Sequence, residues 1–258
     1  MVERLGGNVS PGMSALAQEA QASLIDVLQR MVDLLDRNEA ALQGIPNFHI
    51  FFALVWACLD ELVVALHLAR HQYLLQANSH LRAVVEAADK IALFRKDHSQ
   101  TLFWSSEDWQ VRLRELSPRR VREKLGRDRF DELYGYLSEA GTHLSFRAFQ
   151  DRVYWQLKDG TAPKLVVRTG GTPVARLEQM FYPSCCQTIT RLLVQVEELN
   201  LDGSWLVAVD ELMAELWSAD ADWTERHFIP WAVEEGLDVS GLWEKVAASR
   251  AAAKDLRT

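Results

Sequence analysis

The stretch HQYLLQANSHLRAVVEAADKIALF, His71–Phe94, decides the fold. Leu74, Ala77, Leu81, Val84, Ala88 and Ile91 recur there at alternating spacings of three and four. That period lines all six along one stripe of an α-helix, so a helix is predicted from about Gln72 to Arg95. Such a stripe packs against a neighbour, antiparallel or coiled-coil-like. Asn78, Arg82, Glu86 and Asp89 fall together on its flank.

Upstream, Ile45 to Ala69 is long and apolar. Asp60 and Glu61 sit near its middle, where a carboxylate costs roughly 2.5–3.5 kcal/mol in a membrane. No basic cluster flanks it to set an orientation, so a buried core helix is expected and no membrane. No Gly or Pro separates it from the next helix, which leaves open one kinked helix or two. Gly44-Ile45-Pro46 divides it from an opening helix, about Ser14 to Arg37, with Leu16, Ala20, Leu24, Val27, Met31 and Leu34 on one stripe. Pro46 is expected in the first turn of the following helix.

Downstream, Asp97 to Glu115 is less regular and carries Trp104 and Trp109. Ser117-Pro118 opens a short basic helix that Gly126 ends. Asp128 is expected to cap the next helix, which turns Phe130, Leu133, Tyr134 and Leu137 inward and stops at Gly141. Arg152 to Leu157 and Leu165 to Arg168, around Lys158-Asp159-Gly160-Thr161, read as two short strands about a turn. Helices are expected again at about Tyr182–Leu199, Ser204–Ser218, Asp220–Glu235 and Ser240–Lys254. The fold class is therefore all-α, a multi-helix bundle with a small β-hairpin insert around 151–173 and C-terminal helices. Residues 1–200 form the bundle. Residues 201–258 form an acidic, Trp-rich subdomain or continue the same domain.

The 258 residues are 48% hydrophobic and 25% charged, the profile of a globular chain with a sizeable core. Three cysteines cannot build a disulfide framework, and no C-x-x-C pair offers a zinc site. Met1 to Gly12 lacks the basic-then-apolar order of a signal peptide, so a cytoplasmic protein is expected. The net charge of −8 is uneven: Glu197 to Glu244 holds 13 acidic residues against Arg226 alone. Arg119 to Arg129 reverses the balance, with six basic residues against Glu123 and Asp128. The acidic third argues against wrapping nucleic acid. The basic run leaves Arg119, Arg120 and Arg122 as candidate phosphate contacts, beside the plainer reading of a solvated helix face. Trp205, Trp217, Trp223, Trp231 and Trp243 crowd the C-terminal helices. That composition suits a docking or dimerising element and suits a plain core nearly as well.

Spacing excludes several chemistries. There is no phosphate loop, no dinucleotide fingerprint and no serine-hydrolase elbow. No histidine has a Glu three residues earlier, so a di-iron bundle site is out. His67 and His71 share a helix face but lack the third ligand that zinc requires; neither metal nor cofactor is expected. The remaining constellation is Arg82 and Glu86, one turn apart, with His143 beyond the Gly141 helix end. Arg before Glu is the weaker order for a helix ion pair. His143 can instead cap the helix end, where the dipole favours an imidazolium.

His71–Phe94, followed by LSEAGTHLS at Leu137–Ser145, resembles a group of bacterial helical proteins in which an LR-x-x-x-E helix precedes an LS-x-x-x-H segment. Some of these are related to the HEPN superfamily (higher eukaryotes and prokaryotes nucleotide-binding). Leu81-Arg82 and Glu86 match the first part, and Leu137-Ser138 reaches His143 with four intervening residues rather than three. The resemblance implies a helical bundle that often dimerises, in stress response, phage defence or toxin–antitoxin settings. HEPN ribonucleases resemble one another in an Arg-x4–6-His motif, and no histidine here has an Arg five to seven residues before it.

The first functional reading is therefore a noncatalytic, homodimeric protein that oligomerises or binds a protein partner through its C-terminal helices. The second is a nucleic-acid-processing enzyme, with Arg82, Glu86 and His143 in a cleft and Arg119, Arg120 and Arg122 on phosphates. A small-ligand sensor is the third.

Overall fold

The computed structural model describes residues 15–71, 73–127, 131–141, 153–156, 164–167, 175–199 and 201–256. The architecture is all-α. Helix α1 (Ala15–Arg37) is followed by α2 (Phe48–Arg70) and α3 (Leu74–Lys96). Short helical turns then lead to α4 (Trp109–Leu116), α5 (Pro118–Leu125) and α6 (Glu132–Gly141). The second half holds α7 (Ala175–Glu197), α8 (Gly203–Trp223), α9 (Ile229–Glu234) and α10 (Leu242–Asp255). Two four-residue strands, Val153–Gln156 and Lys164–Val167, pair antiparallel with Val153 opposite Val167 and Gln156 opposite Lys164.

Helix α3 is the central element. Its stripe of Leu74, Ala77, Leu81, Val84, Ala88 and Ile91 is buried, and so are Asn78, Val85 and Phe94 away from the stripe. It is buried on several sides because α2, α5, α6 and α7 all pack against it. Truncating such a residue, Leu81→Ala for instance, costs about 2–5 kcal/mol through lost transfer energy and the cavity left behind. The stripe is thus spent inside the subunit. Helices α2 and α3 are separate, with a turn at His71 in which its amide donates to the Leu68 carbonyl (3.1 Å). α2 starts later than the proline suggests: Asn47, at φ 59°, precedes Phe48, and Pro46 lies outside the helix.

Helix α7 also departs from expectation, since it begins at Ala175 and carries Pro183 in its interior. A proline there removes the N–H that would bond the Gln179 carbonyl. The Trp223 indole supplies the missing donor, reaching Gln179 O at 3.1 Å, and Ser184 Oγ donates to Met180 O at 2.7 Å. Trp205 acts similarly at the other end of α7, donating to Val196 O at 3.1 Å. Two of the C-terminal tryptophans are therefore core residues that tie α8 to α7. One hydrophobic cluster runs from α1 through α8, and a smaller one of Ala221, Ile229 and Val246 lies beneath α9 and α10. Between α8 and α9 the backbone winds as a π-helix, Thr224–Phe228. Arg250 of α10 clasps this region through Asp222 (2.8 Å) and Glu225 (2.5 Å).

Among the described residues, only α2 is long and apolar enough to cross a membrane, and half of its apolar window is buried within the fold. Cys58, Cys185 and Cys186 are free and buried, and burial raises all three thiols, Cys58 to about 12. Thiols held protonated in this way are poor nucleophiles.

Candidate functional site

The flank of α3 faces inward over α5, α6 and α7. Arg82 Nε donates to Glu86 Oε1 (2.8 Å), and Arg82 Nη2 donates to Tyr134 Oη (3.1 Å). Tyr134 Oη in turn donates to Glu86 Oε1 (3.1 Å), closing a triangle. The unfavourable Arg-before-Glu order is overcome because a third group on α6 holds both ends. Burial and the Glu86 carboxylate raise the Tyr134 hydroxyl above its ordinary value, which keeps it a donor. The Arg82 and Arg122 guanidiniums lie 5.2 and 4.9 Å from the Tyr134 ring centroid, within cation–π range.

One turn further along α3 stands Asp89, whose side chain is 3% exposed. It receives Arg122 at 3.3 Å, Arg191 at 2.9 Å and Arg127. Asp131 receives Arg122 and Arg191, both at 2.7 Å, on one oxygen. Its other oxygen accepts the Tyr134 amide at 2.7 Å, so Asp131 caps α6 where Asp128 was expected. Burial alone would raise the Asp131 carboxyl, but hydrogen bonds from Arg122, Arg191 and that amide outweigh it and hold it at about 2. Burial likewise opposes the Arg191 charge, and Asp89 and Asp131 more than restore it. Among the described residues, three guanidiniums meet two carboxylates. A buried network of this kind is stable only while complete, because removing one member strands the others.

These contacts place the sequence candidates. Arg82 and Glu86 do come together, but with Tyr134. His143 lies outside the described residues. Arg122 is 2% exposed in its side chain and binds Asp89 and Asp131, so it is not a surface phosphate contact. Its position in α5 explains this: in a short helix with Val121 buried, the adjacent Arg122 turns inward too. Arg119 and Arg120 are solvated, and both pair with Glu123, at 2.9 and 3.0 Å. The His67 and His71 rings meet edge to face with centroids 4.9 Å apart, while His80 pairs with Glu61. Among the described residues no three metal-binding side chains gather.

Beside the charge network opens a cleft of about 570 Å³, bounded by α6, α7, α8 and α10. Leu133, Val194, Trp217 and Ala248 supply apolar wall; Arg127, Arg191, Thr190, Gln195, Asp220 and Lys245 supply polar atoms. Burial pushes the Asp220 carboxyl up to about 6, and a hydrogen bond with Gln187 only partly offsets it. Sequence reading missed Asp131, Arg191 and Asp220. The one signal for Arg191 is a charge set between Ile189 and the buried pair Leu192-Leu193; Asp220 hides within an acidic run.

No protein-family model, curated protein or solved structure matches the chain.

Proposed function

We propose that this is a noncatalytic helical assembly protein that works as a homodimer, joined through the outward face of α2. The observation that carries the reading is the make-up of that face. Val63 and Val64 are 58% and 41% exposed, Ala53 and Ala57 extend the apolar strip, and Trp56 is half-buried along it. Asp60 lies on the N-terminal side of the valines, and His67, Arg70 and His71 lie on the C-terminal side. A second α2 packed antiparallel about Val63–Val64 brings each Asp60 against the partner's basic end. The surface is therefore self-complementary, as two-fold symmetry requires. Of the surfaces the sequence suggested, the α3 stripe is buried and Trp205 and Trp223 are spent in the core, while Val233, Leu237 and Trp243 stay exposed toward the C-terminus.

The noncatalytic part of the proposal is supported by the closed state of Arg82 and Glu86, whose charges answer each other and Tyr134. A nucleic-acid-processing enzyme would need those groups turned toward a substrate, with Arg122 on the surface. Any kinship with HEPN proteins would then be to members without ribonuclease chemistry. Charge reversal tests the dimer. Asp60→Lys is expected to dissociate it, and adding His67→Glu to restore it. A mass unaffected by Asp60→Lys would refute this interface.

A further inference from the structure

The C-terminal end of the chain carries an apolar patch of a different kind from the α2 strip. Val233, Leu237 and Trp243 are 57%, 50% and 49% exposed. Local structure holds them in place. Gly236, at φ 70°, ends α9: its amide donates to the Val233 carbonyl (3.0 Å), and the Leu237 amide donates to the Ala232 carbonyl (2.8 Å). A cap of this form sets the residue after the glycine against the last helical turn. Ile229 of α9 and Val246 of α10 share one buried cluster, which joins the two helices. Val233 lies one turn beyond Ile229 and Trp243 one turn before Val246. Residues a turn apart share a helix face, so the exposed side chains border that cluster.

The segment that carries the patch is wholly acidic. From Ile229 to Glu244 it has Glu234, Glu235, Asp238 and Glu244 and no Lys or Arg. All four are exposed. Glu234, Glu235 and Glu244 form no ion pair among the described residues. Lys245, next in the chain, pairs with Glu132 at 3.3 Å. The α2 strip has an acid at one end and bases at the other, so two copies can match it. Here two copies would set carboxylates against carboxylates, which is unfavourable. The basic helix α5 of another copy fits no better, since its Arg119 and Arg120 already meet Glu123. Nucleic acid and anionic lipid are repelled by the same carboxylates.

We propose that this patch docks a basic amphipathic helix of another protein. The apolar face of that helix covers Val233, Leu237 and Trp243, and its Lys and Arg side chains meet the four carboxylates. Three half-exposed anchors fall short of the roughly 800 Å² per partner of a standard globular interface, and they suit a short segment. A helix with apolar residues at i, i+3, i+4 and i+7 presents one strip flanked by charge. Trp is a favoured anchor at interfaces, and a base over the Trp243 ring adds cation–π attraction. The inference is independent of the α2 interface.

The test is calorimetry of the full chain at about 50 mM salt with three synthetic peptides of about 18 residues. The first places Leu on one helical face and Lys on the other. The second scrambles that composition so that no face is apolar, and the third replaces every Lys with Glu. The first should bind with a Kd of about 10–50 μM, the second at least about tenfold more weakly, and the third not at all. Leu237→Ser and Trp243→Ser, both on the surface, should each weaken the first peptide about tenfold without lowering the thermal midpoint. Glu234→Lys with Glu235→Lys should weaken it by more than about tenfold, and the equal charge change Asp36→Lys with Glu39→Lys by less than about threefold. The proposal is overturned if the first peptide does not bind or the scrambled one binds as tightly. It is equally overturned if the Asp36 and Glu39 control loses as much affinity, because the attraction is then one of overall charge. A fall in the mass of the chain in Leu237→Ser or Trp243→Ser by light scattering would overturn it in favour of a contact between copies. Phosphatidylserine vesicles that sediment the wild-type chain but not Trp243→Ser would overturn it in favour of a membrane.

Discussion

The Arg82–Glu86–Tyr134 triangle and the cleft at Asp220 are built from the same kinds of residue and differ in one respect. In the triangle every charge has an answering group within 3.1 Å. In the cleft three buried oxygens, Gln195 Oε1, Thr190 Oγ1 and Asp220 Oδ1, have none. A motif of chemically capable residues is therefore a poor guide to function when its members have already spent their bonding capacity on one another. Unspent capacity is the better guide. The neighbouring Asp89–Asp131 network joins the two regions, with Asp89 on α3 and Arg127 and Arg191 on the cleft wall.

The comparison can be broken most forcefully at Asp89. Asp89→Ala takes a carboxylate from three guanidiniums, one of them in the core, leaving Arg122 and Arg191 on Asp131 alone, and should cost about 3–5 kcal/mol of stability, the range for a buried pair that loses one partner. Chemical denaturation will show this as a large fall in midpoint. A loss below about 1 kcal/mol would mean that water already screens the network.

Asp220→Asn should act in the opposite direction. The folded carboxyl sits at about 6 and the ordinary value is 3.8, so the folded state binds the proton more tightly. Stability then falls as pH rises through this window, and the cost is complete above about 6. Removing the charge should stabilise the protein by roughly 1–3 kcal/mol near pH 7.5 and by nothing near pH 4. A pH-independent difference between wild type and variant would show that the burial of Asp220 is not what governs it.

Tyr134→Phe sharpens the closed side. It removes two hydrogen bonds but leaves Arg82 and Glu86 with each other, so a loss of about 1–2 kcal/mol is expected. Urea titration at neutral pH checks it. Smallest of all is the double change Arg119→Ala, Arg120→Ala, which should move stability by no more than about 0.5 kcal/mol, because both side chains are solvated. A larger loss would mean that the exposed half of the basic helix carries structure as well.

The fold was legible wherever the period was clean. The alternation through Leu74 to Ile91 is enough to place α3, and the same residues prove buried. The helix expected from about Tyr182 begins two turns earlier, at Ala175: an interior proline such as Pro183 is locally unfavourable, and the distant Trp223 indole bonds the carbonyl it leaves open. The site was legible in part. Arg82 and Glu86 could be grouped by helical spacing, but their closure with Tyr134 depends on how α6 docks, which spacing does not encode. Arg122 looked like a member of a basic surface because charge counting cannot see which way a side chain turns. Asp131, Arg191 and Asp220 are brought together from three distant segments. No local pattern links them.

The central claim is that the outward face of α2 joins two copies of the chain. Light scattering coupled to gel filtration at micromolar concentration tests it most directly. The account predicts a mass of twice 29.4 kDa for the wild-type chain, falling to the single value in Asp60→Lys. A wild-type mass of 29.4 kDa would contradict it.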